Sequence, residues 1–339
     1  MAETVLVTGG TGFVGGWCIV ELLKRGYDVR TTVRSLTREP PVRAMIATET
    51  NAGSRLSVFA ANLTSDAGWD EAVQGADYVL HVASPLGART NDAADALIAA
   101  ARDGTLRVLA AAVRAKVRRA VLTSSTAASS PRPSVKESIS DETVWTDPTA
   151  RGLTPYRLSK IYAERAAWNF MKANGGSTEF TSVLPTGIFG PVLTAEGLGS
   201  VQLVQRLLNG SVPGIPNVGF NVVDVRDLAD LHIRAMTAKE AAGERFIGGG
   251  EFLWMADIAR ILREHLGARA AKVPKRMLPN FVLRLAALAN PAMKEITAML
   301  GHKHDTTSAK AERILGWRSR PSTATILDCA ESLFAKSAV

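Results

Sequence analysis

The sequence predicts an α/β chain: a doubly wound parallel sheet with a smaller, mostly helical C-terminal lobe. Three observations carry this. Short apolar runs alternate with helix-like segments from residue 4 to about residue 185. A glycine-rich turn, Gly9-Gly10-Thr11-Gly12-Phe13-Val14-Gly15, joins the first run to the first helix. Near Gly190 the alternation breaks, and the remainder reads as mainly helical.

Thr4-Val5-Leu6-Val7-Thr8 is apolar and rich in β-branched residues, so it reads as the first strand. Gly10-x-Gly12-x-x-Gly15 follows directly. A helix-like segment runs from Trp17 to Arg25, Gly26 breaks it, and a second run spans Val29 to Val33. Strand, turn, helix and strand form the setting in which this spacing marks a dinucleotide site, so the unit is Rossmann-type. Glycines let the backbone approach a pyrophosphate, and the helix N-terminus offers free N–H groups and the positive end of its dipole. A glycine-rich turn without a ligand is the plain alternative, which the βαβ setting disfavours.

The end of the second strand bears on the choice of cofactor. A site preferring NAD places Asp or Glu there to accept from the ribose 2′-OH. Here Asp28 precedes the strand and Arg34 follows it. A guanidinium suits a 2′-phosphate through bidentate, charge-assisted hydrogen bonds, so NADP(H) is expected over NAD. Arg38 and Arg43 could add charge. A merely solvated Arg34 is the alternative.

A polar loop, Ser35 to Pro41, precedes a helix expected over Val42 to Thr50. Leu56 to Ala60 alternates as a third strand, and a short helix follows around Gly68 to Val73. Asp77 to Ala83 is apolar enough for a strand buried on both faces, ending at Ser84-Pro85. Asn91 to Lys116 is a long alanine-rich helix, in two pieces if Gly104 breaks it. Arg119 to Thr123 is a strand running into Ser124-Ser125-Thr126. The polar stretch Ala127 to Pro155 is long for an inert loop. Tyr156 to Asn174 reads as a helix and Thr181 to Leu184 as a strand stopped by Pro185. Strands near Asn221 to Val225 and Arg245 to Ile247 are expected to rejoin the first sheet, with a helix over Asp227 to Ala238 between them. Helices over Met255 to His265, Pro279 to Leu288 and Ala324 to Phe334 complete the chain.

The 339 residues suffice for one large domain with a smaller companion. We divide them at 1–189, with returns near 220–236 and 244–250, and 190–339. Cys18 and Cys329 fall in helices and read as small core residues; without Cys/His clusters no metal site is expected. Few cysteines and no signal-peptide pattern suit a cytoplasmic protein. The apolar segment Val282 to Ala292, interrupted by Arg284 and Asn290, is too short to span a bilayer, so no membrane association is expected. The formal charge of +8 invites a nucleic-acid reading. However, the basic groups Arg114 to Arg119 and Lys272 to Arg276 lack interleaved aromatics and read as solvated faces, so no nucleic-acid partner is expected.

Tyr156 and Lys160 stand four apart in a helix and share one face. A nearby ammonium favours the phenolate, lowering the Tyr pKa from about 10, so the phenol can pass a proton near neutral pH. The hydroxyls of Ser124 and Ser125 follow a parallel strand at the edge where open α/β sheets bind ligands, and either could polarise a carbonyl oxygen. Turn or N-cap roles are the alternative for each serine. His81 could look like a base, but reads as a buried strand-end residue. His302 and His304, without a carboxylate or thiol cluster, read as surface or pocket residues.

These stretches together resemble the extended short-chain dehydrogenase/reductases, in the branch of dihydroflavonol 4-reductases, cinnamoyl-CoA reductases and aldehyde or carbonyl reductases. The resemblance rests on Val7 to Gly15, Thr32-Val33-Arg34, His81-Val82-Ala83-Ser84-Pro85, Leu122 to Ser125, Tyr156-x-x-x-Lys160, Leu184 to Pro191 and Val223 to Asp227. It covers the chain to about residue 250. It implies NADP(H) as cofactor and a small carbonyl or alcohol as partner, in a monomer or homodimer. Ser125 would be the catalytic serine, with Ser124 as runner-up, and Tyr156 the proton donor. Lys160 would bind the nicotinamide ribose and tune Tyr156. Gly9, Thr11, Gly12, Phe13, Val14 and Gly15 would cradle the pyrophosphate, and Arg34 would meet the 2′-phosphate. Asn62, where many relatives carry Asp, and Leu63 would flank the adenine. Val82, Ala83 and Ser84 would line the middle of the cofactor, with Pro185, Thr186, Gly187 and Ile188 under the nicotinamide. Leu184 replaces a frequent Asn. The implied activity is reduction of an aldehyde or ketone by NADPH, the CH–OH class in reverse. Two other readings remain: a nucleotide-sugar epimerase or dehydratase, which usually retains NAD, and a non-catalytic NADP sensor, several of which lack the Tyr or Lys.

Overall fold

The computed structural model describes residues 2–85, 92–196, 198–289 and 297–339. Asn91, and Asn290 to Ala292 of the apolar segment noted above, lie outside them. The chain opens with β1 (Thr4–Val7), α1 (Phe13–Lys24) and β2 (Asp28–Val33). Helix α2 (Glu39–Ala47) starts earlier than the sequence suggests. Pro40 and Pro41 open it rather than precede it, because a first-turn proline surrenders only an N–H that would be unpaired anyway.

Then come β3 (Leu56–Ala60), α3 (Trp69–Val73), β4 (Tyr78–His81) and α4 (Asp92–Arg114). Helix α4 passes through Gly104 without a break. A Cβ there would sit 2.7 Å from that of Leu63, so this glycine serves close packing and does not end the helix. Next are β5 (Arg119–Thr123), β6 (Glu137–Ser140), α5 (Pro155–Asn174), β7 (Glu179–Pro185) and β8 (Gly187–Phe189). The second half holds α6 (Gln202–Leu208), β9 (Gly219–Asp224), α7 (Val225–Thr237), β10 (Arg245–Gly248) and β11 (Phe252–Trp254). It ends with α8 (Met255–Leu266), α9 (Asn280–Ala289), β12 (Lys303–Thr306), α10 (Ala309–Leu315) and α11 (Ser322–Ala335).

Seven strands form a parallel sheet in the order β10-β7-β5-β4-β1-β2-β3. Both faces are covered, so β4 and β5 are buried at every position and show no alternation. One face packs a core that includes Val5, Val7, Ile19, Val121 and Leu228 under α1 and α7. The other packs Leu6, Val79, Leu109, Ala120 and Phe180 under α3, α4 and α5. The strand order reverses between β1 and β4, and a crevice opens beyond the carboxyl ends of the strands at that point.

Of the two expected returns to this sheet, only β10 makes one, pairing with β7. Strand β9 instead sits between β8 and β11 in a separate three-stranded sheet. It is α7, the helix after β9, that comes back and packs against the main sheet. The polar stretch after Ser125 is not all loop either. Strand β6 pairs in parallel with β12, tying that stretch to the C-terminal third. A separate apolar core joins Leu207, Ile258, Leu262, Ile326 and Leu333.

In the basic group 114–119, Arg114, Lys116 and Arg118 are exposed as expected of a solvated face, and Arg119 departs from it. Arg119 is buried, with Nε and Nη2 on Glu179 and Nη1 on the carbonyls of Ala235 and Ala238. It clamps the end of α7 to β5. Cys18 and Cys329 are both buried, and burial pushes each thiol up to about 12. Among the described residues no helix is long and apolar enough to cross a membrane.

Candidate active site

The crevice has a glycine end and a hydroxyl end. At the first, the Gly9 N–H donates to Thr32 Oγ1 at 3.2 Å and the Gly10 N–H to the Thr32 carbonyl at 3.1 Å, anchoring the turn to β2. Gly9 has φ +78°, and a Cβ on Gly15 would stand 2.4 Å from the Gly9 carbonyl oxygen. Side chains at these positions would block the turn, so its backbone stays bare to the crevice. Gly12 precedes α1 with no side-chain cap, and no acidic residue lies in the first turn. That end is open and positive. A cleft beside it is lined by Thr11, Gly12, Phe13, Leu193, Thr194 and Glu196.

Arg34 is exposed just past β2, and among the described residues no hydrogen bond or ion pair holds its guanidinium. The other two arginines proposed to add charge there are occupied. Arg38 pairs with Glu196 at 3.0 Å, and Arg43 bonds Glu39 and the Leu56 carbonyl. At the end of β3, Asn62 Oδ1 accepts from the Thr64 N–H at 3.2 Å, and Leu63 packs on Gly104.

In the middle, the Val82 and Ala83 N–H groups both donate to Thr8 Oγ1, at 3.1 and 3.0 Å. The Thr8 hydroxyl hydrogen therefore goes to His81 Nδ1, 2.9 Å away, which leaves the imidazole proton on Nε2. That Nε2 is buried without a partner among the described residues. Burial, and then the charge of Lys160, push the His81 pKa down to about 3, so the ring is neutral. His81 is thus a buried strand-end residue, but only one of its nitrogens is satisfied. Ser84 lies beside Ala83 on the wall of the crevice.

At the hydroxyl end, Thr154 caps α5, accepting from the Arg157 N–H, and Pro155 occupies the first turn. Tyr156 and Lys160 then share a face. Tyr156 is 38% exposed, whereas Lys160 is buried and its Nζ donates to the Thr123 carbonyl at 3.4 Å. Burial pushes the Lys160 pKa down to about 8, and the negative charge of Glu164 pulls the other way. A cavity beside it is lined by Ala83, Ser84, Thr105, Thr123, Lys160 and Glu164.

The two candidate serines are told apart by their partners. Ser124 is buried and donates to Glu164 Oε2 at 2.7 Å. Ser125 is half-buried, and its Oγ accepts from the Ala127 N–H at 3.1 Å in the short turn 126–128, against which α5 packs. Its hydroxyl hydrogen is thus left for another acceptor. Residues 185–188 lead from the end of β7 into β8. The Pro185 carbonyl accepts from Thr126 Oγ1, the Thr186 N–H donates to Gly248, and Gly187 and Ile188 pass into β8.

Glu164, Arg245 and Thr8 were not among the expected site residues. Their signals were faint: a carboxylate one turn beyond Lys160 on the same helix, an arginine inside the apolar run of β10, and a threonine at a strand end. His302 and His304 lie at β12, and His304 Nε2 donates to the Val135 carbonyl at 2.5 Å. Among the described residues no group of three or more His, Cys, Asp or Glu could hold a metal ion.

Comparison with known proteins adds sequence and fold relatives. The family model described as "NAD dependent epimerase/dehydratase family" matches residues 5–248. A cinnamoyl-CoA reductase, CAD2, of Medicago truncatula is 34% identical over 269 residues, 78% of this chain and 81% of the relative. A dihydroflavonol 4-reductase of Arabidopsis thaliana is 37% identical over 269 residues, 77% of this chain and 69% of the relative. The crystal structure of yeast methylglyoxal/isovaleraldehyde reductase Gre2 complexed with NADPH has the same fold. It superposes with a TM-score of 0.81 at 24% identity, covering 99% of this chain and all of that one.

Proposed function

The chain belongs to the NAD dependent epimerase/dehydratase family, in the extended short-chain dehydrogenase/reductase group, and on that premise we propose that it is an NADPH-dependent reductase of an aldehyde or ketone. The observation that carries this reading is the hydroxyl end of the crevice: a partly exposed phenol, one turn from a buried lysine, on a helix packed against the turn that holds Ser125. The relatives named above support it, being reductases by name.

The residues present fit the cofactor. Gly9 to Gly15 leave bare backbone where a Cβ would clash, and the open N-terminus of α1 favours phosphate. Arg34 has its guanidinium uncommitted for a 2′-phosphate. Thr11, Phe13 and Val14 would flank the pyrophosphate. Asn62 and Leu63 would flank the adenine, Val82 to Ser84 the centre, and Pro185 to Ile188 the nicotinamide. When bound, the dihydronicotinamide supplies the hydride.

The chain's own residues supply orientation and the proton. Ser125 donates its free hydroxyl hydrogen to the carbonyl oxygen and holds it as charge develops. Tyr156 Oη gives that oxygen its proton. The Lys160 ammonium would favour the phenolate and would bind the ribose hydroxyls of the cofactor. Ser124, committed to Glu164, is unsuited to the first of these tasks.

Loss of NADPH absorbance with a panel of aldehydes and ketones tests the proposal. Turnover with at least one class is expected. Tyr156→Phe should lower kcat by about a hundredfold or more, leaving the Kd for NADPH within a few-fold. Tight NADPH binding with no turnover across the panel would instead favour a sensor. Cofactor retained through dilution would favour an epimerase.

A further inference from the structure

We infer that Glu164, locked to Arg245, is the positioning residue of this site: it sets the Ser124–Ser125 turn and holds the Lys160 side chain as an ammonium. The inference rests on the reductase reading for its catalytic meaning, but its geometry stands alone. Glu164 is completely buried, one helical turn after Lys160. Its Oε1 accepts from Ser182 Oγ at 2.7 Å, Arg245 Nε at 2.9 Å and Trp168 Nε1 at 3.4 Å. Its Oε2 accepts from Ser124 Oγ at 2.7 Å and Arg245 Nη2 at 3.2 Å. One carboxylate therefore ties α5 to β5, β7 and β10.

Arg245 extends the reach of this knot. Its Nη1 donates to the carbonyls of Glu142 and Val144, at 2.6 and 2.9 Å, and its Nη2 to Ala128 at 3.4 Å. The Trp145 ring lies 3.7 Å from the guanidinium carbon. The segment fixed in this way is the one that follows Ser125. An ion pair so deep is a poor source of stability, since apolar side chains often do as well in its place. What this pair adds is placement and charge.

The charge of Glu164 bears on Lys160. Lys160 and Glu164 stand one turn apart on α5 and line the same cavity; the lysine Nζ reaches the Thr123 carbonyl, and the Glu164 charge acts on it against burial. The other ionisable groups around the knot are Arg245, Glu142 beyond it, neutral His81 on β4, and Tyr156 one turn earlier.

Competitive acetylation of the full chain over a pH series, with the Lys160 peptide read by mass spectrometry, titrates that amine without cofactor or substrate. Glu164→Gln should lower the midpoint by about one pH unit or more, and Glu164→Asp should restore it. Should Glu164→Gln not fold, Glu164→Gln/Arg245→Gln removes the ion pair as a whole and should show a smaller fall in the same direction, because the Arg245 charge that opposed the lysine is removed with it. On a carbonyl that turns over, kcat of the Gln variant should drop roughly tenfold or more with KM for NADPH retained. A folded Gln variant whose Lys160 midpoint does not move, and which merely melts lower, would overturn the inference. Failure of the reductase reading would show instead in the carbonyl panel, and leaves this titration untouched.

Discussion

At the scale of single residues, the site is a set of uncommitted atoms held by committed ones. Among the described residues Arg34 keeps its guanidinium unpaired, while Arg38 and Arg43, close by in sequence, are tied to Glu196, Glu39 and the Leu56 carbonyl. Coenzyme choice should then turn on Arg34 alone. Arg34→Asp should raise KM for NADPH and lower that for NADH, reversing preference by about tenfold or more. An unchanged coenzyme ratio would show that the 2′-phosphate is met elsewhere. The residues that sequence made visible were those whose chemistry depends on spacing: Gly10-x-Gly12-x-x-Gly15, and Tyr156 four before Lys160. Those it hid depend on distant partners. Nothing local in Arg245 announces Glu164, and nothing in Ser124 announces that its hydroxyl is already spent on that carboxylate.

At the scale of elements, α5 matters most, because its first turns carry both Tyr156 and Lys160. That end is pinned by Thr154, whose side chain accepts from the Arg157 N–H at 3.3 Å. Thr154→Ala should cost about 1 kcal/mol of stability. It should also speed amide exchange in the first turn and lower kcat more than it raises KM for NADPH. Equal exchange in the two proteins would show that Pro155 and packing fix the turn without the cap. Strand and helix periodicity located the buried elements well, from β1 to α5, since both faces of a parallel sheet demand long apolar runs. It failed where a segment's partner was not its neighbour. Asn221 to Val225 has the composition of a sheet strand, but only tertiary pairing decides which sheet receives it. Glu137 to Ser140 has little apolar character, and β12 makes it a strand.

At the scale of the molecule, two buried histidines link folding to pH. Burial pushes His81 down to about 3 and His232 to about 4. His232 is held neutral between the Leu228 carbonyl, which accepts from Nδ1, and the Thr123 hydroxyl, which donates to Nε2. The unfolded chain protonates both near pH 6.5, and the folded chain does not. Below that pH the unfolded state binds more protons, so stability falls as pH drops, by about 1.4 kcal/mol per unit for each ring. Above it, neither contributes. Glu142, raised by burial, acts in the opposite sense and softens the fall. Urea unfolding from pH 7 to pH 5 should show this slope, and His232→Gln should make it shallower whatever its effect on the level. Parallel slopes would remove His232 from the account.

The pairing of Glu137–Ser140 with Lys303–Thr306 bears on how the protein is made. A ribosome releases the N-terminal half of the main sheet long before it reaches Lys303. The bare glycine turn and its helix can form early, from neighbouring segments. The stretch beyond Ser125 has to wait, first for Arg245 and then for the distant strand that completes its hydrogen bonds. A nascent chain should therefore acquire a nucleotide fold well ahead of a working catalytic centre, which is finished only once Lys303 to Thr306 have emerged.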